Sequence, residues 1–249
     1  MDLNPVNQHI TPGTTNMFKF KEFSISQERA AMKIGTDGVL LGAWTPLEHP
    51  NSILDIGAGT GLIALILAQR SDAELIDAIE LEEEAYEECV DNFEASPWGD
   101  RLFCYHADLR ELINEENLSY DLIVSNPPFH RTAVVGDSTK RTTARQIESL
   151  PFELLLVAVK KLLDPNGVFS CIIPYQEEEY VLRLARQINL FPFKITRVKG
   201  RADRPIKRSL LALSYQQKHY QEEELIIEHK RHQYTEDYKR LTKAFYLSM

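Results

Sequence analysis

Residues Asn126-Pro127-Pro128-Phe129 form the stretch of this chain with the clearest chemical use. Adjacent prolines give up two backbone donors and fix two φ angles, so the loop that carries them is stiff. A rigid turn would account for the prolines but not for the asparagine or the phenylalanine. A planar amine is a weak nucleophile because its lone pair is spread into the attached π system. Two fixed acceptors on its N–H bonds favour pyramidal nitrogen and aim the lone pair at an electrophile. The Asn126 side-chain carbonyl and the Pro127 backbone carbonyl can supply that pair. Pro128 then keeps the loop from relaxing, and Phe129 can stack on a base, a contact of roughly 1–3 kcal/mol.

Asp55, Gly57, Gly59 and Gly61 form a second pattern, D-x-G-x-G-x-G, between the strand-like "SILDI" and the helix-like "TGLIALILAQR". Glycines there let the chain turn tightly and let a ligand approach a helix N-terminus. A nicotinamide or flavin site needs G-x-G-x-x-G/A, but Leu62 occupies the position three after Gly59. A phosphate-binding P-loop needs a lysine that is absent. Asp55 disfavours a pyrophosphate and welcomes a cation, so the loop suits a positively charged nucleoside without phosphates. S-adenosyl-L-methionine fits that description. Glu80, 19 residues after Gly61, is placed to accept bonds from both ribose hydroxyls, and Asp108 to accept one from an adenine amine. A methyl on sulfonium is already activated, so transfer needs positioning and no metal. The seven histidines show no ligand spacing.

These residues need a scaffold that brings strand ends together. Apolar runs at 52–56, 75–80, 102–107, 120–125 and 167–174 alternate with helical patterns at 60–70, 82–94 and 149–163, with a further helix after 174. Late strands are expected near 193–199 and 209–215. Continuous apolar strands alternating with helices predict a doubly wound parallel sheet, whose ligands bind beyond the carboxyl ends of its strands. The glycine loop, Glu80, Asp108 and Asn126–Phe129 all fall at such ends.

At 249 residues with 43% hydrophobic content, the chain fits one α/β domain. It has no long apolar span and no secretory leader pattern. Three cysteines without CxxC spacing predict reduced thiols in the cytoplasm. Net charge is −9, against general adhesion to nucleic acid, yet residues 194–208 hold seven basic residues and one acid. That segment (Lys194, Arg197, Lys199, Arg201, Arg204, Lys207 and Arg208), with Lys140, Arg141 and Arg145 after the Asn126 loop, predicts a face for a selective polyanion.

The chain resembles the class I methyltransferases with an NPPY/F motif and, more narrowly, the bacterial valine-tRNA adenine-N6 methyltransferases. The resemblance rests on "AMKIGTDGVLLGAW" (31–44), "LDIGAGTGLIALILAQR" (54–70), "DLIVSNPPF" (121–129) and "LTKAFYLSM" (241–249). It implies a Rossmann-like, doubly wound seven-stranded sheet, mostly parallel with one antiparallel strand. It also implies methylation of the adenine just 3′ of the anticodon, with tRNA held by its anticodon arm. Asp55, Gly57, Ala58, Gly59, Gly61, Glu80, Leu81 and Asp108 would line the cofactor, Thr36 and Asp37 would close over its methionine end, and Asn126–Phe129 would hold the base. The family often has tyrosine at Phe129, which keeps stacking but loses any role for a phenol hydroxyl. One domain is expected, with an N-terminal cap (1–45), a core (46–215) and a C-terminal extension (216–249), acting as a monomer in the cytoplasm. Protein-glutamine N5 methyltransferases share the motif, but their helical N-terminal domain has no counterpart ahead of Asp55. A cofactor-fold module without catalysis and a DNA adenine methyltransferase are further alternatives; intact NPPF and the absence of a target-recognition insert weigh against them.

Overall fold

A computed structural model describes residues 17–30, 33–128 and 150–248. Phe129, Lys140, Arg141 and Arg145 lie outside the described residues. A short hairpin, β1 (Met17–Lys19) and β2 (Ser24–Ser26), precedes helix α1 (Thr36–Trp44). The core then alternates β3 (Ser52–Ile56), α2 (Leu62–Arg70), β4 (Leu75–Glu80), α3 (Glu83–Glu94), β5 (Leu102–His106), α4 (Leu109–Asn114) and β6 (Tyr120–Ser125). It continues with α5 (Phe152–Leu162), β7 (Leu163–Pro174), α6 (Glu178–Gln187), β8 (Phe191–Lys199), β9 (Ile206–Ser214) and β10 (Gln221–Ile226). A small hairpin, β11 (Glu228–Lys230) with β12 (Gln233–Tyr234), leads to α7 (Glu236–Thr242).

The main sheet has eight strands in the order β10-β8-β9-β7-β6-β3-β4-β5. Only β9 runs against its neighbours, antiparallel to β7 and β8. The seven-stranded expectation is therefore one strand short. The extra strand, β10, lies parallel to β8, and its sequence, QEEELI, lacks the apolar run that marks the other strands. Its ladder to β8 is joined by burial of Leu225 and by opposite charge on neighbouring strands: Arg197 pairs with Glu222 at 2.5 Å and Lys199 with Glu224 at 2.7 Å.

Helices cover both faces. On one side α1, α2 and α3 bury Val39, Leu41, Ile63, Ile66 and Phe93 against Ile53, Ile76 and Val124. On the other, α4, α5 and α6 bury Leu109, Leu155, Val159 and Val181 against Leu54, Ile123, Phe169 and Leu211. Helix α1, which periodicity alone leaves unassigned, packs closely on α2. A side-chain carbon at Gly42 would come within 2.8 Å of Ile66, so glycine permits that approach. The chain ends are tied together, with Lys21 N–H donating to the Phe245 carbonyl at 2.9 Å and Phe20 bridging to Tyr246.

Candidate active site

Because β3 to β7 are parallel, their carboxyl ends share one edge of the sheet. Gly57, Glu80, Asp108 and Asn126 all follow at that edge. Ser125 Oγ, fully buried at the end of β6, donates to the Ile56 carbonyl at 2.9 Å. This bond sets the Asn126 loop directly beside the glycine loop. Sequence reasoning missed Ser125, since a small polar residue ending a strand carries no distinctive signal.

The glycine loop takes three positive φ angles: 74° at Gly57, 55° at Gly59 and 79° at Gly61. Gly61 needs both its backbone and its bareness, because a side-chain carbon would sit 2.5 Å from Phe93 and 2.9 Å from the Cys89 sulfur. At Gly57 and Gly59 the same construction meets nothing within 4 Å. The loop thus packs on α3 at one end and faces open space at the other.

Asp55 is fully buried. Its Oδ2 accepts from the Ala64 N–H at 3.2 Å, and its Oδ1 has no partner among the described residues. Burial pushes its pKa up to about 7, against the Ala64 bond and with help from the nearby Glu80 charge. Such a carboxylate is stabilised by an incoming cation.

Glu80 is bonded to the glycine loop and to the residues after β4. Its Oε2 accepts from Gly59 N–H at 2.7 Å, and its Oε1 from Leu81 and Glu82 N–H at 2.8 and 2.9 Å. A carboxylate has about four lone-pair sites, and these three donors occupy most of them. Asp108 caps α4, accepting from Arg110 N–H at 2.7 Å and from its guanidinium at 2.8 Å. Leu81 is exposed beside Glu80, and His106 Nε2 lies 3.0 Å from the Leu81 carbonyl while its ring stacks on Tyr86.

Asn126 Oδ1 is buried with no hydrogen-bond partner among the described residues. An unmet buried acceptor costs about 1–3 kcal/mol, so this oxygen is poised for a donor that arrives from outside. Pro127 is buried and Pro128 half-buried. Asp37, in the first turn of α1, accepts from Arg208 Nε at 2.6 Å, which draws Thr36 and Asp37 to the same edge.

Helix α3 supplies two functional residues that the sequence conceals within an acid-rich run. Glu88 is fully buried and accepts from Glu28, Arg29 and Ala30 N–H at 2.5, 3.1 and 2.8 Å and from Ser26 Oγ at 3.0 Å. Asn92 bonds both backbone groups of Ser26 and donates to the Thr60 carbonyl at 2.9 Å. The polar face of α3 therefore joins the N-terminal segment to the glycine loop.

The basic segment is divided. Lys194 is the fourth residue of β8, inside the strand and paired with Ala212 of β9, half-buried 4.7 Å above the Trp44 ring, and burial lowers its pKa. Five residues of strand, about 17 Å, separate it from Lys199. Arg197 and Lys199 are held by acids, as above. Arg201 and Arg204 flank the single acid Asp203 at 3.6 and 3.8 Å in the β8–β9 turn. That turn, with Lys207, lies at the carboxyl edge.

This is the site of a methyltransferase, and comparison with known proteins agrees. The family model for the methyltransferase small domain matches residues 31–171. The fold is similar to that of a predicted O-methyltransferase from Agrobacterium tumefaciens (TM-score 0.65, 18% identity, 84% of this chain and 96% of that one). It is also similar to M. jannaschii TYW2 in complex with AdoMet (TM-score 0.54, 17% identity, 82% and 88%). Curated relatives are more specific. A Flavobacterium psychrophilum protein is 56% identical over 94% of this chain and 100% of its own length, and a Bacteroides fragilis protein 42% identical over 93% and 98%. Both are named tRNA1(Val) (adenine(37)-N6)-methyltransferase. The chain belongs to this family and is an S-adenosylmethionine-dependent methyltransferase. Among the described residues there is no cluster of metal-ligating side chains and no helix long and apolar enough to cross a membrane.

Proposed function

We propose that the chain methylates N6 of adenine 37 in a valine tRNA, with Asn126 and Pro127 as the acceptors that orient the amine. The observation that carries this reading is the buried, unpartnered Asn126 oxygen next to an open glycine loop. The residues present suit S-adenosylmethionine, since Asp55 is a buried carboxylate with an unused oxygen and Gly57 and Gly59 leave a cradle clear of protein. When bound, the cofactor supplies a methyl activated by positive sulfur. Gly57, Ala58, Gly59 and Gly61 shape its bed, Glu80, Leu81 and Asp108 hold its nucleoside, and Thr36 and Asp37 border its methionine end.

The protein's part in the reaction is alignment. Asn126 Oδ1 and the Pro127 carbonyl accept hydrogen bonds from the two amine N–H groups and aim the nitrogen lone pair, and the one proton shed by the methylated nitrogen leaves to water. The prolines keep both acceptors still, and Phe129 stacks on the base. Preorganised contacts of this kind act on the transition state without reorganising. Adenine within a stacked strand cannot reach the pocket, so the base is taken from an open loop or flipped out. Arg201, Arg204 and Lys207 then meet the phosphates of the anticodon arm, and Lys140, Arg141 and Arg145 are assigned to the same partner by their charge. The enzyme acts as a monomer in the cytoplasm. Labelled methyl transfer to total tRNA followed by nucleoside analysis tests the reading; label in N6-methyladenosine supports it, and label on glutamine of a release-factor-like protein instead would overturn it.

A further inference from the structure

Tyr175 follows directly on β7 and is 40% exposed at the carboxyl edge. Its neighbours place it between two parts of the proposed RNA site. On one side β6 pairs with β7 up to Ser125–Cys171, where the Asn126 loop leaves the sheet and β7 runs on to Pro174. On the other side Pro174 pairs with Arg208 of β9, which leads to the Arg201–Arg204 turn. Strand β7, which Tyr175 follows, lies between β6 and β9 in the sheet.

The ring is also restrained. The Arg197 guanidinium carbon lies 5.8 Å from its centroid. That guanidinium is itself fixed, donating to Glu178 at 2.7 and 3.1 Å and to Glu222 at 2.5 Å. Glu178 is buried and also accepts from Ser209 Oγ at 2.5 Å. The exposed ring thus lies beside a guanidinium that acids on two other elements keep in place. Holding a side chain in place before binding reduces the entropy lost on contact.

We propose that Tyr175 is a stacking platform for a nucleotide adjacent to the target adenine, and that Arg197 positions it rather than gripping phosphate. The proposal rests on the RNA reading above and specifies how the flanking strand is held. An unpaired base presents a π face whatever its identity, so the platform orients the strand without reading its sequence.

The test uses anticodon stem-loop RNA carrying 2-aminopurine on either side of the target adenine, with S-adenosylhomocysteine-loaded protein. Wild type should quench the fluorescence at one flank, and Tyr175→Ala should lose that quench and bind the RNA about tenfold more weakly. Tyr175→Phe should stay within about twofold of wild type, because the stack survives without the hydroxyl. The salt slope of Tyr175→Ala should match wild type, since no phosphate contact is lost. Unchanged S-adenosylhomocysteine affinity reports that the variant is folded. Wild-type binding with equal quench and affinity in Tyr175→Ala would overturn the platform alone. Failure of wild type to bind any stem-loop would remove the RNA reading and the platform with it.

Discussion

Asn92 on α3 donates from Nδ2 to the Thr60 carbonyl at 2.9 Å while bonding both backbone groups of Ser26. One buried amide therefore fixes the last turn of the glycine loop and the start of the N-terminal segment together. Asn92→Ala leaves unmet backbone groups in both places, each a loss of about 1–3 kcal/mol if buried. The expected result is a lower melting temperature and a weaker S-adenosylhomocysteine affinity, read by calorimetry. Glu88→Gln, which replaces a charged acceptor of several N–H groups by a neutral one, should release residues 26–30 to hydrogen exchange while changing cofactor affinity less. Equal cofactor affinity in wild type and Asn92→Ala would show that the loop holds its shape without this bond.

Asp55 makes cofactor binding depend on pH. Its pKa stands raised to about 7, above the usual carboxylate value of about 3.9. The folded protein then binds a proton that the unfolded chain has already released, so this group's contribution to stability falls as pH rises from about 4 to about 7. Cofactor affinity runs the other way, because the ionised form attracts a cation. Binding of S-adenosylmethionine should tighten between pH 6 and pH 8, and Asp55→Asn should flatten the curve while raising the melting temperature at pH 8. A wild-type affinity independent of pH over that range would contradict the assignment.

Gly61 tests the loop sterically. With φ at 79° and Phe93 2.5 Å from any added side-chain carbon, Gly61→Ala must shift either α3 or the loop. Gly59 faces open space despite its φ of 55°, so Gly59→Ala carries backbone strain alone, of order 1 kcal/mol. Thermal unfolding should show the larger loss for Gly61→Ala, and cofactor protection against unfolding should fall for both. A Gly61→Ala variant as stable as wild type would mean that the loop is looser than its packing indicates.

The positions of Asp55, Gly57, Glu80, Asp108 and Asn126 were legible in the sequence because each follows an apolar strand or a glycine turn. Their shared edge follows from the parallel sheet. What each side chain does there was less legible. Glu80 spends three of its acceptor sites on backbone N–H groups, and Lys194 lies inside β8, five residues before its end, since linear spacing along residues 194–208 does not reveal where a strand ends and a turn begins. Glu88 and Asn92 were hidden for the same reason: in an acid-rich helix only tertiary packing distinguishes a buried clamp from a solvated face. Strand β10 was missed because four polar residues precede its one buried apolar residue, Leu225, so it lacks an apolar run.

Charge at the β8–β9 turn is the next expectation. Reversing Arg201, Arg204 and Lys207 to glutamate should weaken anticodon stem-loop binding and flatten its salt dependence, at about 0.7 in slope per lost phosphate contact on a single strand. S-adenosylhomocysteine affinity should be unaffected. The contrasting substitution Lys194→Glu, half-buried inside β8 and away from the turn, should leave the salt slope as it is. Equal effects of the two sets on RNA binding would contradict the division of the basic segment.

Turnover by Asn126→Ala tests the central claim most directly. The account assigns this side chain to the reacting amine alone, so the variant should bind S-adenosylhomocysteine within a few-fold of wild type. Its single-turnover rate on tRNA at saturating cofactor should fall about 100- to 1,000-fold, as for loss of one preorganised contact at a reacting centre. A near wild-type rate would contradict the account, because the buried Asn126 oxygen would then have no part in the transfer.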